Sequence, residues 1–152
     1  MIRITKMQKE HIAQIAELET LCFSLPWDAA SFESELENPL SDWLVALEGE
    51  TLAAYVGAQT AGGESDIMNV AVAPSFRRRG IARELMIAME CTLRERNTEA
   101  ISLEVRESNL PAIRLYESLG FCRVGLRPNY YFKPKENALI YRKEMCHEDT
   151  GD

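Results

Sequence analysis

The chain has 152 residues, 46% apolar and 27% charged, a length that suits one domain of about 100 to 200 residues. This composition belongs neither to a disordered chain nor to a membrane protein. Lys and Arg total 17 against 24 Asp and Glu, a net charge of -7 that opposes nonspecific binding to nucleic-acid phosphates and favours a basic partner.

Ile2 to Met7 reads as a short strand, after which Ile12, Ile15, Leu18 and Cys22 recur at helical spacing. Pro26-Trp27 interrupts, and Asp28 can cap a second helix with Phe32 and Leu36 on one face, stopped by Asn38-Pro39. Trp43 to Leu47, Thr51 to Thr60 and Asp66 to Val72, divided by Glu48-Gly49-Glu50 and Gly62-Gly63, predict an antiparallel meander. After Pro74 the period changes: Ile81, Leu85, Ala88 and Met89 form a stripe, so a helix is expected from Arg79 to Arg96. Ala100 to Arg106 alternates strictly, with Ile101, Leu103 and Val105 on one face and Ser102, Glu104 and Arg106 on the other. Asn109 can cap a further helix, with Pro111 in its first turn and Gly120 as a left-handed terminator. Phe121 to Leu126 and Leu139 to Met145 supply two last strands. The reading is one mixed α/β domain over 1–146 with an acidic, disordered end at 147–152.

Four scattered cysteines, Cys22, Cys91, Cys122 and Cys146, form no C-x-x-C and have no histidine nearby except His147, so no metal is expected. Cys91 and Cys122 read as inert small hydrophobes, and His11 as a surface residue. Met1 to Lys6 does not resemble a secretion signal, and no apolar run reaches the roughly 20 residues of a span. A cytoplasmic setting without a membrane partner is expected.

The segment Val70-Ala71-Val72-Ala73-Pro74-Ser75-Phe76-Arg77-Arg78-Arg79-Gly80-Ile81-Ala82-Arg83 couples a strand to a helix through a basic turn. Gly80 has no Cβ and Ala82 only a methyl, so an anion can approach amides at a helix start, where the dipole favours negative charge. No Lys-Ser/Thr follows the glycine and arginines flank it, which excludes a P-loop and G-x-G-x-x-G. Cationic side chains at a helix start are mildly unfavourable unless an anion compensates. A pyrophosphate cradle is expected.

Arg77-Arg78-Arg79-Gly80-Ile81-Ala82 resembles the acetyl-coenzyme A loop of the GCN5-related N-acetyltransferases, R/Q-x-x-G-x-G/A, with Ala82 in place of the more frequent second glycine. Phe23-Ser24-Leu25-Pro26-Trp27, Leu103-Glu104-Val105-Arg106-Glu107-Ser108-Asn109, Leu115-Tyr116-Glu117-Ser118-Leu119-Gly120-Phe121 and Asn129-Tyr130-Tyr131 are similar to the bacterial ribosomal-protein-alanine members of that family. Asn137 departs from the acidic residue common before the last strand. The resemblance implies a mostly antiparallel sheet of six or seven strands with about four helices, splayed between the strands ending near Val72 and Arg106 to admit acetyl-coenzyme A. It implies that Val70, Ala71 and Val72 offer backbone groups to the pantetheine arm, that Arg77, Arg78, Arg79, Gly80, Ile81, Ala82 and Arg83 enclose the pyrophosphate, and that Asn109 contacts coenzyme A. Glu104 is implied as general base and Tyr116 as general acid. The implied acceptor is the N-terminal alanine of the eighteenth small-subunit ribosomal protein, a basic partner.

The residues fit those roles chemically. Glu104 lies on the polar side of its strand, where a carboxylate can take a proton from an amine directly or through water. Tyr116 can protonate a departing thiolate. Deprotonating an α-amine at pH 7 costs roughly 1 kcal/mol against roughly 4.6 for a lysine, which ranks a peptide N-terminus first. Tyr130 and Tyr131 either bind the peptide or cover the sheet edge, and Trp27 either shapes the substrate loop or is a buried indole. Rival readings are a family member acting on a small amine, a polyamine or a lysine side chain, a non-catalytic acyl-coenzyme A sensor, and an RNA-binding accessory domain, which the net charge opposes. A monomer is expected.

Overall fold

A computed structural model describes residues 1–145, so the expected acidic end and the last residue of the expected domain lie outside the described residues. The elements run β1 (Ile2–Lys6), α1 (Ile12–Cys22), α2 (Ala29–Leu36), β2 (Ser41–Glu48), β3 (Thr51–Ala61), β4 (Glu64–Val72), α3 (Ile81–Glu95), β5 (Ala100–Arg106), α4 (Leu110–Ser118), β6 (Cys122–Tyr131) and β7 (Glu136–Glu144). The seven strands form a mixed sheet in the order β1-β2-β3-β4-β5-β7-β6. The expected mixed α/β class holds. The chain divides into two compact units, Met1–Gln59 with Met68–Thr92, and Thr60–Ile67 with the chain from Leu93 onward.

In the first unit β1 pairs antiparallel with β2, and β2 with β3. Trp43–Leu47 and Leu52–Ala58 are buried almost without interruption, the pattern of strands covered on both faces. Phe32 of α2 lies 5.3 Å from Trp43 and 6.0 Å from Tyr55, edge to face in both cases, the offset geometry that ring quadrupoles favour. Asp28 caps α2 as expected, its Oδ1 accepting from the Ser31 N–H at 2.9 Å. His11 is 7% exposed rather than on the surface, because its Nδ1 accepts the Gln8 N–H at 2.8 Å and closes the turn before α1.

In the second unit β5 pairs antiparallel with β7 along its whole length, Ala100↔Glu144 to Arg106↔Ala138. Its parallel ladder with β4 comprises three residue pairs, Glu64↔Ala100 to Asp66↔Ser102. β6 lies outside β7 and shifts register twice, between Arg123 and Gly125 and between Arg127 and Tyr131. Both last strands are longer than their apolar stretches predict, since ladder bonds such as Arg127↔Ala138 and Tyr131↔Glu136 extend backbone that local pattern leaves undecided. Cys91 and Cys122 are exposed rather than packed as small hydrophobes.

Candidate active site

The first unit holds the basic turn. Val70, Ala71 and Val72 end β4, with Ala71 buried and its neighbours half-buried. The Ala73 N–H donates to the Ala53 carbonyl at 2.8 Å and fixes where the strand exits. A 3-10 turn at Pro74–Phe76 then buries the Phe76 ring. The arginines that follow have different tasks. Arg77 donates from Nε to the Val72 carbonyl at 3.1 Å and from Nη2 to Cys22 Sγ at 3.6 Å. Arg79 pairs with Glu48 at 3.2 Å and lies 5.1 Å from the centre of the Phe76 ring.

Arg78 and Gly80 both have positive φ, +66° and +75°, which is why α3 begins at Ile81 and not at the expected Arg79. Such alternation turns successive amides into an anion-binding concavity. A Cβ at Gly80 would meet nothing within 4 Å; its left-handed backbone, not crowding, calls for glycine, and the space beside it is open. The Glu84 N–H donates to the Gly80 carbonyl at 3.1 Å, so the amides of Ile81, Ala82 and Arg83 precede the first intrahelical bond. An open approach, a positive dipole end and flanking guanidiniums fit a diphosphate.

Trp27 belongs to the same unit. Its half-buried indole packs 5.4 Å from Phe32 and 5.7 Å from Trp43, and the Trp27 backbone N–H donates to Glu19 Oε2 at 3.1 Å. Glu19 is 1% exposed and accepts also from the Tyr55 hydroxyl and, at 3.1 Å, from Asn69 Nδ2. Burial, the bond to Glu19 and its charge push the Tyr55 phenol well above its usual range. One carboxylate thus ties the loop after α1 to the β4 residue next to Val70.

The second unit holds Glu104, Asn109 and Tyr116. Glu104 stands opposite Ile140 of β7, 30% exposed, with Oε2 3.7 Å from Arg127 Nε. Asn109 caps α4, its Oδ1 accepting from the Ala112 N–H at 3.3 Å. Tyr116 on that helix is buried with its ring edge-on to Phe121, 6.0 Å between centres. Burial alone pushes its phenol up to about 12.

Across the second register shift, Arg127 to Tyr131 of β6 faces Ala138 to Glu136 of β7, and Asn129 takes φ of +55°. This bulge presents Tyr130 and Tyr131 with rings 5.0 Å apart and nearly perpendicular. The Tyr131 phenol is raised to about 12, by burial first and then by Tyr130, Glu104 and Tyr116, while Arg106 opposes the shift. Tyr130, Glu104 and Tyr116 thus each lie within electrostatic reach of the Tyr131 phenol. Glu19 and Arg127 had no signal in the sequence; Arg106 shares the polar side of β5 with Glu104, which alternation does reveal.

Comparison with known proteins decides the family. The acetyltransferase (GNAT) family matches residues 12–121. The chain belongs to the GNAT family. It is 33% identical over 157 residues to the N-alpha-acetyltransferase RimI of Mycobacterium tuberculosis, covering 99% of this chain and 94% of that one. It is 31% identical over 139 residues to the [ribosomal protein bS18]-alanine N-acetyltransferase of Escherichia coli K12, covering 90% and 93%. The crystal structure of the ribosomal-protein-S18-alanine N-acetyltransferase from Escherichia coli superposes with a TM-score of 0.86 at 29% identity, covering 98% of each chain.

As a GNAT enzyme the chain is an N-acetyltransferase whose acetyl donor is acetyl-coenzyme A. Among the described residues no group of three or more His, Cys, Asp or Glu is placed to hold a metal. No helix among them is long and apolar enough to cross a membrane.

Proposed function

We propose that this enzyme acetylates the N-terminal alanine of the eighteenth small-subunit ribosomal protein. The single observation that carries the reading is the half-buried Glu104 carboxylate on β5, 3.7 Å from the Arg127 guanidinium, where a substrate ammonium can stand instead; Tyr116 on α4 is buried, with its phenol raised to about 12. The likeness to the Escherichia coli enzyme named for that substrate supports the acceptor.

Acetyl-coenzyme A supplies the thioester. Arg78, Gly80, Ile81, Ala82 and Arg83 bind its diphosphate, while Arg77 and Arg79, engaged with Val72 and Glu48, brace the turn that presents those amides. The backbone of Val70, Ala71 and Val72 meets the pantetheine arm, and Asn109, whose Oδ1 is committed to the cap, offers its Nδ2 to coenzyme A. Trp27 shapes the acceptor loop from its seat in the aromatic cluster, and Tyr130 and Tyr131 meet the peptide backbone.

Glu104 takes the proton of the α-amine as nitrogen bonds to the thioester carbonyl carbon. The C–S bond then breaks, its electron pair staying on sulfur, and Tyr116 delivers a proton there. An α-amine at pH 7 costs roughly 1 kcal/mol to deprotonate, within reach of one carboxylate, whereas a lysine costs roughly 4.6. The Arg127 guanidinium beside Glu104 keeps a cation against the carboxylate until a substrate ammonium replaces it.

The test is mass spectrometry on alanine-starting peptides, free and N-blocked, some containing lysine, with wild type, E104Q and Y116F. Wild type modifies only the free N-termini. Both variants lose at least 100-fold in kcat while coenzyme A affinity stays within twofold. Acetylation of a blocked peptide at lysine would overturn the acceptor, and full activity in E104Q would overturn the base.

A further inference from the structure

We propose that Arg106 is a positioning residue that holds Tyr131 for the peptide, as the centre of a strap that also anchors the turn before α4. The inference rests on the reading of Tyr131 as a peptide-binding residue, and names what sets its place.

Arg106 ends β5, two residues beyond Glu104 on the same side of the strand. Its guanidinium lies 4.4 Å from the centre of the Tyr131 ring, donates from Nη1 to the Pro134 carbonyl at 2.9 Å and from Nη2 to the Phe132 carbonyl at 3.2 Å. Nη1 also pairs with Glu136 Oε1 at 3.2 Å, with the two side chains 26% and 15% exposed. Only a planar fork of several donors can hold two carbonyls and a carboxylate while one face lies against a ring. The hairpin carrying Tyr131 is thereby fastened to the strand carrying Glu104.

The strap continues beyond Arg106. Glu136 Oε2 accepts the Ser108 N–H at 2.6 Å, and the Ser108 hydroxyl first, then this backbone bond and Arg106, hold its carboxyl below the usual range against burial. The Asn109 N–H donates to the Arg106 carbonyl at 2.9 Å, and the Glu107 N–H to the Asn137 carbonyl at 3.2 Å. Asn137 closes the array, its Oδ1 accepting the Asn129 N–H at 2.9 Å and its Nδ2 donating to Glu107 at 3.3 Å. An asparagine serves here because it must both accept and donate, which a carboxylate in the same place cannot do. The Asn109 cap and the Glu136–Ser108 bond survive without the guanidinium; the seat of Tyr131 does not.

The experiment is steady-state kinetics with an alanine-starting peptide and acetyl-coenzyme A on wild type, R106M, R106K, E136Q, Y131A and the double variant R106M/Y131A. R106M is expected to raise the peptide KM about tenfold with kcat reduced less than threefold and the acetyl-coenzyme A KM within twofold. R106K recovers only part, because an ammonium cannot span the same acceptors. E136Q, which keeps shape and fold, moves the peptide KM in the same direction by a smaller factor. R106M adds nothing further on the Y131A background, since both act through one contact. An unchanged peptide KM in R106M while Y131A raises it overturns the strap alone. Y131A without effect, or a wild type that ignores the peptide, overturns both the strap and the reading beneath it. Should R106M not fold, E136Q and R106K decide by the same comparison.

Discussion

Burial of Tyr116 changes what its phenol can do. At its usual value of about 10, proton transfer to a thiolate of about 8.5 is uphill by about 2 kcal/mol, and at about 12 the same transfer is uphill by about 5 kcal/mol. In the proposed reaction a stepwise proton transfer would therefore be costly, and the proton would move as the C–S bond breaks and sulfur charge builds. In return the phenol stays protonated across the whole working range. Because the folded value lies above the unfolded one, Tyr116 costs no stability below pH 10 and lowers it as pH rises from about 10 to about 12. In a carbon-13 titration of labelled protein the Tyr116 ring carbon should turn over near pH 12, with an unchanged activity plateau through pH 9.5; a midpoint at 10 would contradict its burial.

Among the elements, β2 and β3 show how closely backbone and ring must fit. The Trp43 ring lies directly over Gly57, where a Cβ would overlap its six-membered ring, and the indole Nε1 is pinned by Glu35 Oε1 at 3.0 Å. Gly57→Ala is expected to cost about 1 to 3 kcal/mol by overpacking, read as a lower urea midpoint at unchanged slope. The sequence pattern was enough to place β5, both capped helices and the Gly80 turn, because alternation, capping residues and glycine act locally. The length of β6, the pairing of Arg127 with Glu104 and the seat of Tyr131 were not legible. Each depends on the bulged register of β6 against β7, which is decided by ladder pairs such as Arg127↔Ala138 and Tyr131↔Glu136 and by the Asn129 N–H donating to Asn137 Oδ1, none of them visible in local pattern. His11 failed for a related reason, since its ring is drawn inward by the Gln8 amide.

At the scale of the whole molecule, charge is the property that reaches farthest. A net charge of -7 favours the basic acceptor proposed above and opposes an anionic donor, for which the local arginine turn would have to compensate. Raising ionic strength from 0.02 to 0.2 M should lower kcat/KM for a basic alanine-starting peptide several-fold and leave that for a neutral one nearly flat; equal slopes would show that the long-range field plays no part. The strand order also leaves β6 at one end of the sheet with Val124 and Phe132 exposed, where a straight strand would invite another chain to continue the ladder. Pro128, the two register shifts and the cationic side chains of Arg123 and Arg127 deny a newcomer that template. The irregularity that seats the tyrosines thus also guards against edge-to-edge aggregation.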